Sequence, residues 1–300
     1  MFENIIGQEA IKNNITTNIL FAKGTPGAII PHILFIGPAG YGKTLLATSI
    51  AKAFDKPYVS GYGPSITSEE QLVKMFLYQD KLIPEGTILI IDEIHAVKAN
   101  LLEKIYTIME SFSLPVGSTT IQFPKFTLIA GTTDPQYLTK SMRDRFKLTY
   151  VLSKYTEKDI ADLVRLKIGP GITIDDEVCK KIYEFTAGTP RKVINLAYNL
   201  RVYLFVHPSN NNHVDIDTFD TYLKYQGLTK EGFTAQECEY LNLLRVHQKL
   251  SVNSLTAMLG INVGVILYIV EPSLLERGLI RIVSGGRVLT EKGQALLSNI

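Results

Sequence analysis

Gly37-Pro-Ala-Gly-Tyr-Gly-Lys-Thr44 is the stretch on which the fold turns, with His32-Ile-Leu-Phe-Ile36 ahead of it and Thr44-Leu-Leu-Ala-Thr-Ser-Ile-Ala-Lys-Ala53 behind. The apolar run reads as a short buried strand, and the Leu- and Ala-rich run as a helix. The segment between them fits G-x-x-x-x-G-K-[ST]. Gly37, Pro38, Ala39, Gly40, Tyr41 and Gly42 form a loop whose backbone N–H groups can curl around an anion. The helix that opens through Lys43, Thr44 and Leu45 points its positive end at the same place. Lys43 is expected to reach the outer phosphates and Thr44 to offer its hydroxyl to Mg²⁺. Strand, loop and helix in that order predict a nucleoside triphosphate site in a parallel α/β sheet.

Working outward, Ile88-Leu-Ile-Ile91 and Phe126-Thr-Leu-Ile-Ala130 are continuous aliphatic runs that suit central strands covered on both faces. Residues 30–150 alternate such runs with helical stretches, the pattern of a parallel sheet flanked by helices. Asp92 and Glu93 follow the first run at a strand's carboxyl end, where α/β sheets gather ligands. Asp92 is expected to hold Mg²⁺ through water, and Glu93 to polarise the attacking water. His95 is expected to support this pair. The second run leads into Gly131-Thr132-Thr133-Asp134, and Thr133 or Thr132 is expected beside the γ-phosphate. Arg143-Asp-Arg145-Phe146 follows. It reads either as surface ion pairing or, more sharply, as Arg145 reaching a neighbouring copy's nucleotide as an arginine finger.

From Tyr155 to about Tyr225 the pattern becomes helical: Glu157 to Ile168, Asp176 to Ala187 and Pro190 to His207, with a polar loop at 208–213. Near Gly227 a further unit begins. Helices are expected over Thr234 to Gln248, Ser251 to Leu259 and Val263 to Arg277, the last interrupted at Glu271-Pro272. A hairpin follows: Leu279–Val283, a turn at Ser284-Gly-Gly-Arg287, then Val288–Thr290. Three helices and a hairpin make a winged-helix arrangement.

Composition restricts the rest. Three hundred residues suffice for two or three domains, and 46% apolar with 20% charged residues is ordinary globular chemistry. A net charge of +2 points to no partner. Cys179 and Cys238 have no partners at metal spacing, so neither a disulfide framework nor a zinc site is expected. There is no bilayer-length apolar run and no signal-peptide layout at Met1–Gln8, so a cytoplasmic location is expected.

These motifs together resemble the RuvB family, ATPases of the AAA+ class that migrate Holliday junctions. The resemblance rests on Gly37–Thr44, Asp92-Glu-Ile-His95, Thr127-Leu-Ile-Ala-Gly-Thr-Thr133, Arg143-Asp-Arg-Phe146 and Gly188-Thr-Pro-Arg191, and it spans nearly the whole chain. Ile5-Ile-Gly-Gln8 resembles the family's adenine-side motif. Val270-Glu-Pro-Ser-Leu-Leu-Glu-Arg-Gly-Leu279 with Gly286-Arg287-Val288 resembles its winged-helix end. The implied architecture is an AAA+ parallel-sheet P-loop domain over 1–153, an all-α helical lid over 154–226 and a winged-helix DNA-binding domain over 227–300. Ile5, Ile6, Tyr155 and Pro190 are then expected beside the adenine. Arg191 would contact the γ-phosphate from the lid, and Arg287, in the turn of the wing, would contact DNA. Lys98 is a further candidate DNA-backbone contact.

The resemblance implies an ATP-driven motor on duplex or four-way-junction DNA, working as a hexameric ring with a RuvA-like adaptor. Two departures accompany it. The segment Phe112–Phe126 is shorter than the family's adaptor-docking hairpin, although Leu114–Gln122 has the composition of a small one. Asp134-Pro135 stands where the family usually has an arginine, as in clamp-loader subunits. Two other readings stay open: a clamp-loader-like switch that assembles a complex on DNA without sustained movement, and a regulator whose winged helix reads a DNA site.

Overall fold

Three aliphatic strands form the middle of the sheet because each is covered on both faces, and the motif-bearing loops leave from their carboxyl ends. The computed structural model describes residues 1–2, 5–78, 81–208 and 212–298. The chain divides after Tyr155 into two compact units.

In the first unit, helix α1 (Glu9–Gly24) precedes strand β1 (Ile33–Ile36), helix α2 (Lys43–Phe54) and strand β2 (Tyr58–Tyr62). Helix α3 (Glu69–Lys74) and a small hairpin, β3 (Leu77–Tyr78) and β4 (Lys81–Leu82), lead to strand β5 (Ile88–Asp92). Helix α4 (Ala99–Ser111) follows, then a second hairpin, β6 (Ser113–Val116) with β7 (Thr119–Gln122), inside the stretch expected to form one. Strand β8 (Thr127–Thr132), the short helix α5 (Lys140–Arg143) and strand β9 (Leu148–Val151) complete the unit. The main sheet is ordered β2-β5-β8-β1-β9, with every pairing parallel. One core fills the space between sheet and helices with Leu89, Ile91, Ile105, Tyr106, Phe126 and Leu128.

The register decides what meets what at the carboxyl edge. Ile36 pairs with Thr132 and Ile91 with Ala130, so the loops after β1, β5 and β8 leave side by side. Gly37 N–H donates to the Thr132 carbonyl at 3.1 Å, which fastens the start of the phosphate loop to the tip of β8. At the opposite edge His32, just ahead of β1, accepts at Nδ1 from Leu128 N–H at 2.8 Å. Its Nε2 lies 3.2 Å from the Met109 carbonyl near the end of α4. Burial holds the His32 pKa below its ordinary value, which keeps this ring neutral between the two backbone groups. Helix α4 therefore runs from the carboxyl edge of the sheet back to its amino edge.

The second unit starts with helix α6 (Glu157–Ile168), opened by a capping box in which Thr156 and Asp159 exchange side-chain and backbone bonds. Helices α7 (Asp176–Thr186) and α8 (Pro190–Val206) pack with it, α9 (Ile216–Tyr225) packs on α7, and strands β10 (Thr173–Ile174) and β11 (His213–Val214) pair in parallel. Ile160, Val164, Val178, Val193, Leu200 and Phe219 are fully buried within this helical set. Of the polar loop expected at 208–213, residues 209–211 lie outside the described residues.

The remaining residues build helix α10 (Ala235–His247), strand β12 (Lys249–Leu250), helix α11 (Val252–Leu259), then α12 (Val263–Val265) and α13 (Glu271–Glu276). Strands β13 (Ile280–Val283) and β14 (Gly286–Leu289) and helix α14 (Glu291–Ser298) follow, with the sheet ordered β12-β14-β13. Phe233, Tyr240, Leu255, Ile266 and Leu274 share one core. Two expectations need correction here. The irregularity expected at Glu271-Pro272 lies one turn earlier, as a π-helical turn over Ile266–Val270. Pro272, in the first turn of α13, needs no N–H partner there. The hairpin turn is tighter than expected, because Gly286 already belongs to β14. A Cβ on Gly286 would stand 2.6 Å from the Leu250 carbonyl oxygen, so the glycine allows β12 and β14 to approach.

Candidate nucleotide site

Local backbone chemistry explains the phosphate loop. Gly40 and Gly42 take φ of 81° and 95°, left-handed values that a side chain would strain, and Gly42 caps α2. Lys43 is buried, and its ammonium donates to the Gly37 and Pro38 carbonyls at 2.7 and 3.2 Å. It also stands 3.9 Å from a Glu93 carboxylate oxygen. Thr44 Oγ1 donates to Asp92 Oδ2 at 2.6 Å, joining the start of α2 to the end of β5. Gly131 leaves room for this pair, because a Cβ there would stand 2.9 Å from Asp92 Oδ1. A hydroxyl and a carboxylate side by side are hard oxygen donors of the type that magnesium takes.

Glu93 is bent into place. Its φ of 51° is left-handed, an uncommon strain for a residue with a Cβ, and Ala96 N–H caps its carbonyl at 3.0 Å. Gly63 permits that bend: a Cβ there would lie 2.2 Å from the Glu93 carbonyl oxygen. Sequence reading missed Gly63, since no motif surrounds it and the requirement exists only through space. The Glu93 carboxylate accepts from Thr133 N–H at 3.0 Å and Thr133 Oγ1 at 2.9 Å. Between the two threonines considered, Thr133 therefore meets the carboxylate. Thr132 is fully buried, and its hydroxyl lies 3.0 Å from His95 Nδ1. His95 also lies 3.3 Å from Glu93 and 3.6 Å from Asp134, and its ring stacks on Tyr137. Lys43, Thr44, Asp92, Glu93 and Thr133 thus form one constellation.

Around the loop, Tyr155 donates its hydroxyl to the Tyr41 carbonyl at 3.1 Å, with the two rings edge to face. Ile5 is buried and Ile6 half-buried at the start of the unit. Gln8 was read only as part of a motif, yet its amide bonds Ser153 from both ends: Nε2 donates to the Ser153 carbonyl at 2.8 Å, and Oε1 accepts from Ser153 N–H at 3.2 Å. That brace ties the N-terminal segment to the loop that follows β9. Lys98, exposed at the start of α4, donates to the Thr67 carbonyl at 3.4 Å. In the second unit, Pro190 is the buried first residue of α8, and Arg191 beside it is exposed.

The two arginines after α5 differ. Arg143 donates to the Pro135 and Leu138 carbonyls and fixes that turn. Arg145 is at the surface, with Nη1 donating to Ser141 O and Oγ at 2.9 and 2.7 Å and Nε 3.0 Å from Glu110. Glu110 neighbours Met109, at the end of α4 that His32 ties to the amino edge of β1.

Arg287 requires a correction. It lies within β14 rather than in the turn, with its side chain only 14% exposed. Its Nε and Nη2 donate to the two Glu271 carboxylate oxygens at 2.8 and 3.2 Å, and Tyr240 also donates to Glu271 at 2.9 Å. Glu271 is almost fully buried, and its hydrogen bonds hold the Arg287 pKa above an already high value. This charge neutralises a buried carboxylate, so Arg287 itself is not a free cation at the wing. Arg287→Ala is expected to destabilise the second unit by about 3–5 kcal/mol, because it strands a buried charge. Adding Glu271→Leu should restore much of the loss, and chemical denaturation of both variants checks this.

Comparison with known proteins gives this geometry its relatives. Residues 1–152 match the family model of the Holliday junction DNA helicase RuvB P-loop domain, and residues 230–298 that of the RuvB C-terminal winged helix domain. A Holliday junction branch migration complex subunit RuvB of Campylobacter fetus is 32% identical, over 98% of this chain and 87% of its own. One from Helicobacter pylori is 30% identical, over 99% of this chain and 90% of its own. Among solved structures, the Thermotoga maritima RuvB Holliday junction branch migration motor superposes with a TM-score of 0.78 at 26% identity, over 99% of this chain and 96% of that one. The chain belongs to the RuvB family.

Proposed function

We propose that this chain is an ATP-driven motor that moves on duplex DNA as a hexameric ring and drives branch migration of Holliday junctions in recombination and repair. Residues 1–153 act as the ATPase domain, 154–226 as its lid and 227–300 as the DNA-binding winged helix. One observation carries the reading: the hydrolytic constellation gathers at the carboxyl edge of the sheet, while Arg145 is held near the amino edge. The run of α4 from Ala99 to Glu110 alone covers roughly 16 Å at the helical rise. An arginine at that far end serves a neighbouring copy's nucleotide more readily than its own.

In this reading the phosphate loop, from Gly37 to Leu45, cradles the β- and γ-phosphates, with Lys43 against their outer oxygens. Thr44 and Asp92 would hold Mg²⁺, which would supply positive charge to the phosphate oxygens. Glu93 takes a proton as water attacks the γ-phosphorus and the bond to the β-phosphate oxygen breaks, giving ADP and phosphate. Thr133 orients Glu93 and the γ-phosphate. Arg145 of the next copy stabilises charge on the transferring group. Ile5, Ile6, Tyr155 and Pro190 frame the adenine. Arg191 senses the γ-phosphate, so its loss changes the lid. The two free cysteines, Cys179 and Cys238, fit a cytoplasmic location. Among the described residues no single helix is long and apolar enough to cross a membrane.

For the wing, DNA contact is better assigned to Arg281 and Lys249 than to Arg287. Both are exposed, and both pair across Val288 in the three-stranded sheet, so they share one face. Lys98 supplies a backbone contact from the first unit. Such contacts position DNA without reading sequence. Replacing Arg281 and Lys249 together with alanine should weaken duplex binding and flatten the slope of log K against log salt by about two. Fluorescence anisotropy over a salt series measures both quantities.

The reading is tested on a synthetic four-way junction, with and without a RuvA-like adaptor, for which the β6–β7 hairpin is the docking element. ATP-dependent conversion of the junction to duplex products, absent in Lys43→Ala, is expected. DNA-stimulated hydrolysis with no junction movement under either condition would favour a loader.

A further inference from the structure

The guanidinium of Arg145 is folded back onto its own subunit. Both Nη1 hydrogens are committed to Ser141, and Nη2 donates to Glu110 Oε2 at 3.4 Å. Nε lies 3.0 Å from Glu110 Oε1, but out of line: the nitrogen is buried and has no aligned acceptor. The Tyr106 ring lies beneath, 5.9 Å from the guanidinium carbon. Glu110, Lys140, Ser141, Asp144 and Arg145 line an open surface depression of about 490 Å³. An arginine has five N–H donors, and the outer pair on Nη1 and Nη2 is the edge that grips a phosphate. Here that edge faces inward, and a carboxylate cancels its charge.

We propose that Glu110 is a positioning residue for hydrolysis: a latch that keeps Arg145 parked until a neighbouring copy presents its nucleotide. The proposal rests on the reading of Arg145 as a finger acting in trans. Three features suit a latch better than a permanent brace. The bond is long at Nη2 and misaligned at Nε, so the parked pose leaves a buried donor poorly served. The Glu110 side chain is 59% exposed, so water solvates it readily once released. A terminal phosphate carries more negative charge than one carboxylate and accepts two bonds along the same edge, so it displaces Glu110 when a neighbour docks. The parked form then keeps the finger's charge neutralised in subunits that have no neighbour. Glu110 lies in the last turn of α4, the helix that follows the short turn after Glu93.

The test uses full-length chains with complementary lesions. Lys43→Ala subunits lack a working phosphate loop but supply Arg145, whereas Arg145→Ala subunits keep the loop and lack the finger. Hydrolysis in an equimolar mixture then reports the finger of the first acting on the nucleotide of the second. Glu110→Gln, which keeps shape and removes charge, is placed on either member. On the Lys43→Ala donor it should raise mixed turnover at sub-saturating protein about two- to fivefold, the range set by a part-exposed ion pair. On the Arg145→Ala acceptor it should change nothing. Stimulation from both sides, from neither, or a decrease from the donor side would overturn the latch. The finger reading fails separately: Arg145→Ala alone would turn over normally, or the unmodified mixture would be inert. A general folding defect would not depend on which subunit carried Glu110→Gln.

Discussion

Arg145→Ala is expected to lower kcat for ATP hydrolysis by about 10³-fold or more, while ATP binding by separated subunits stays nearly unchanged. The two halves of this expectation have different structural origins. Binding is set by the phosphate loop, where Gly40 and Gly42 turn the backbone and Lys43 sits among the loop carbonyls. Arg145 contributes nothing there, since its side chain is held by Ser141 and Glu110. Its effect arises when a neighbour's transferring phosphoryl group spreads negative charge over its outer oxygens, which a planar guanidinium grips in two places. Lysine at this position should therefore rescue little. Steady-state hydrolysis beside equilibrium binding of a fluorescent nucleotide separates the two quantities. A variant that lost binding and turnover together would place Arg145 within its own subunit's site.

Glu93→Gln should slow turnover by about 10²–10⁴-fold, the usual contribution of a general base, and leave ATP trapped on the protein. The amide keeps the shape of the carboxylate, so the left-handed turn at residue 93 and its fit against Gly63 survive. Its carbonyl oxygen can still accept from Thr133 N–H and Oγ1, as the carboxylate does. The proton-accepting capacity is what disappears. A single-turnover experiment with radiolabelled ATP distinguishes slow chemistry from weak binding. A normal single-turnover rate would move the base elsewhere, with His95, 3.3 Å from Glu93, the next group to test.

What the sequence disclosed and what it hid divide along a physical line. The central strands β1, β5 and β8 were legible because burial on both faces forces aliphatic runs. The edge strands β2 and β9 were not: Tyr58-Val-Ser-Gly-Tyr62 and Leu148-Thr-Tyr-Val151 are half exposed, and one carries a glycine. The phosphate loop was legible because its chemistry lies in consecutive residues. Gly63, Gln8 and Glu110 escaped because each acts on a residue distant in sequence, namely Glu93, Ser153 and Arg145. Arg287 was misplaced for a related reason. In Ser284-Gly-Gly-Arg287 either glycine can make the turn. Close approach to Leu250 commits Gly286 to the strand, which carries Arg287 to the buried Glu271. The choice between Thr132 and Thr133 likewise needed the register of β8 against β1 and β5.

The division of labour between copies is tested most directly by specific ATPase activity per subunit across protein concentration, with sedimentation velocity on the same samples. Separate subunits should bind ATP yet hydrolyse almost none. Activity should then rise steeply as assemblies form, and further when duplex DNA is added. Hydrolysis at the full rate by separate subunits, unchanged by concentration or DNA, would contradict an active centre shared between neighbours.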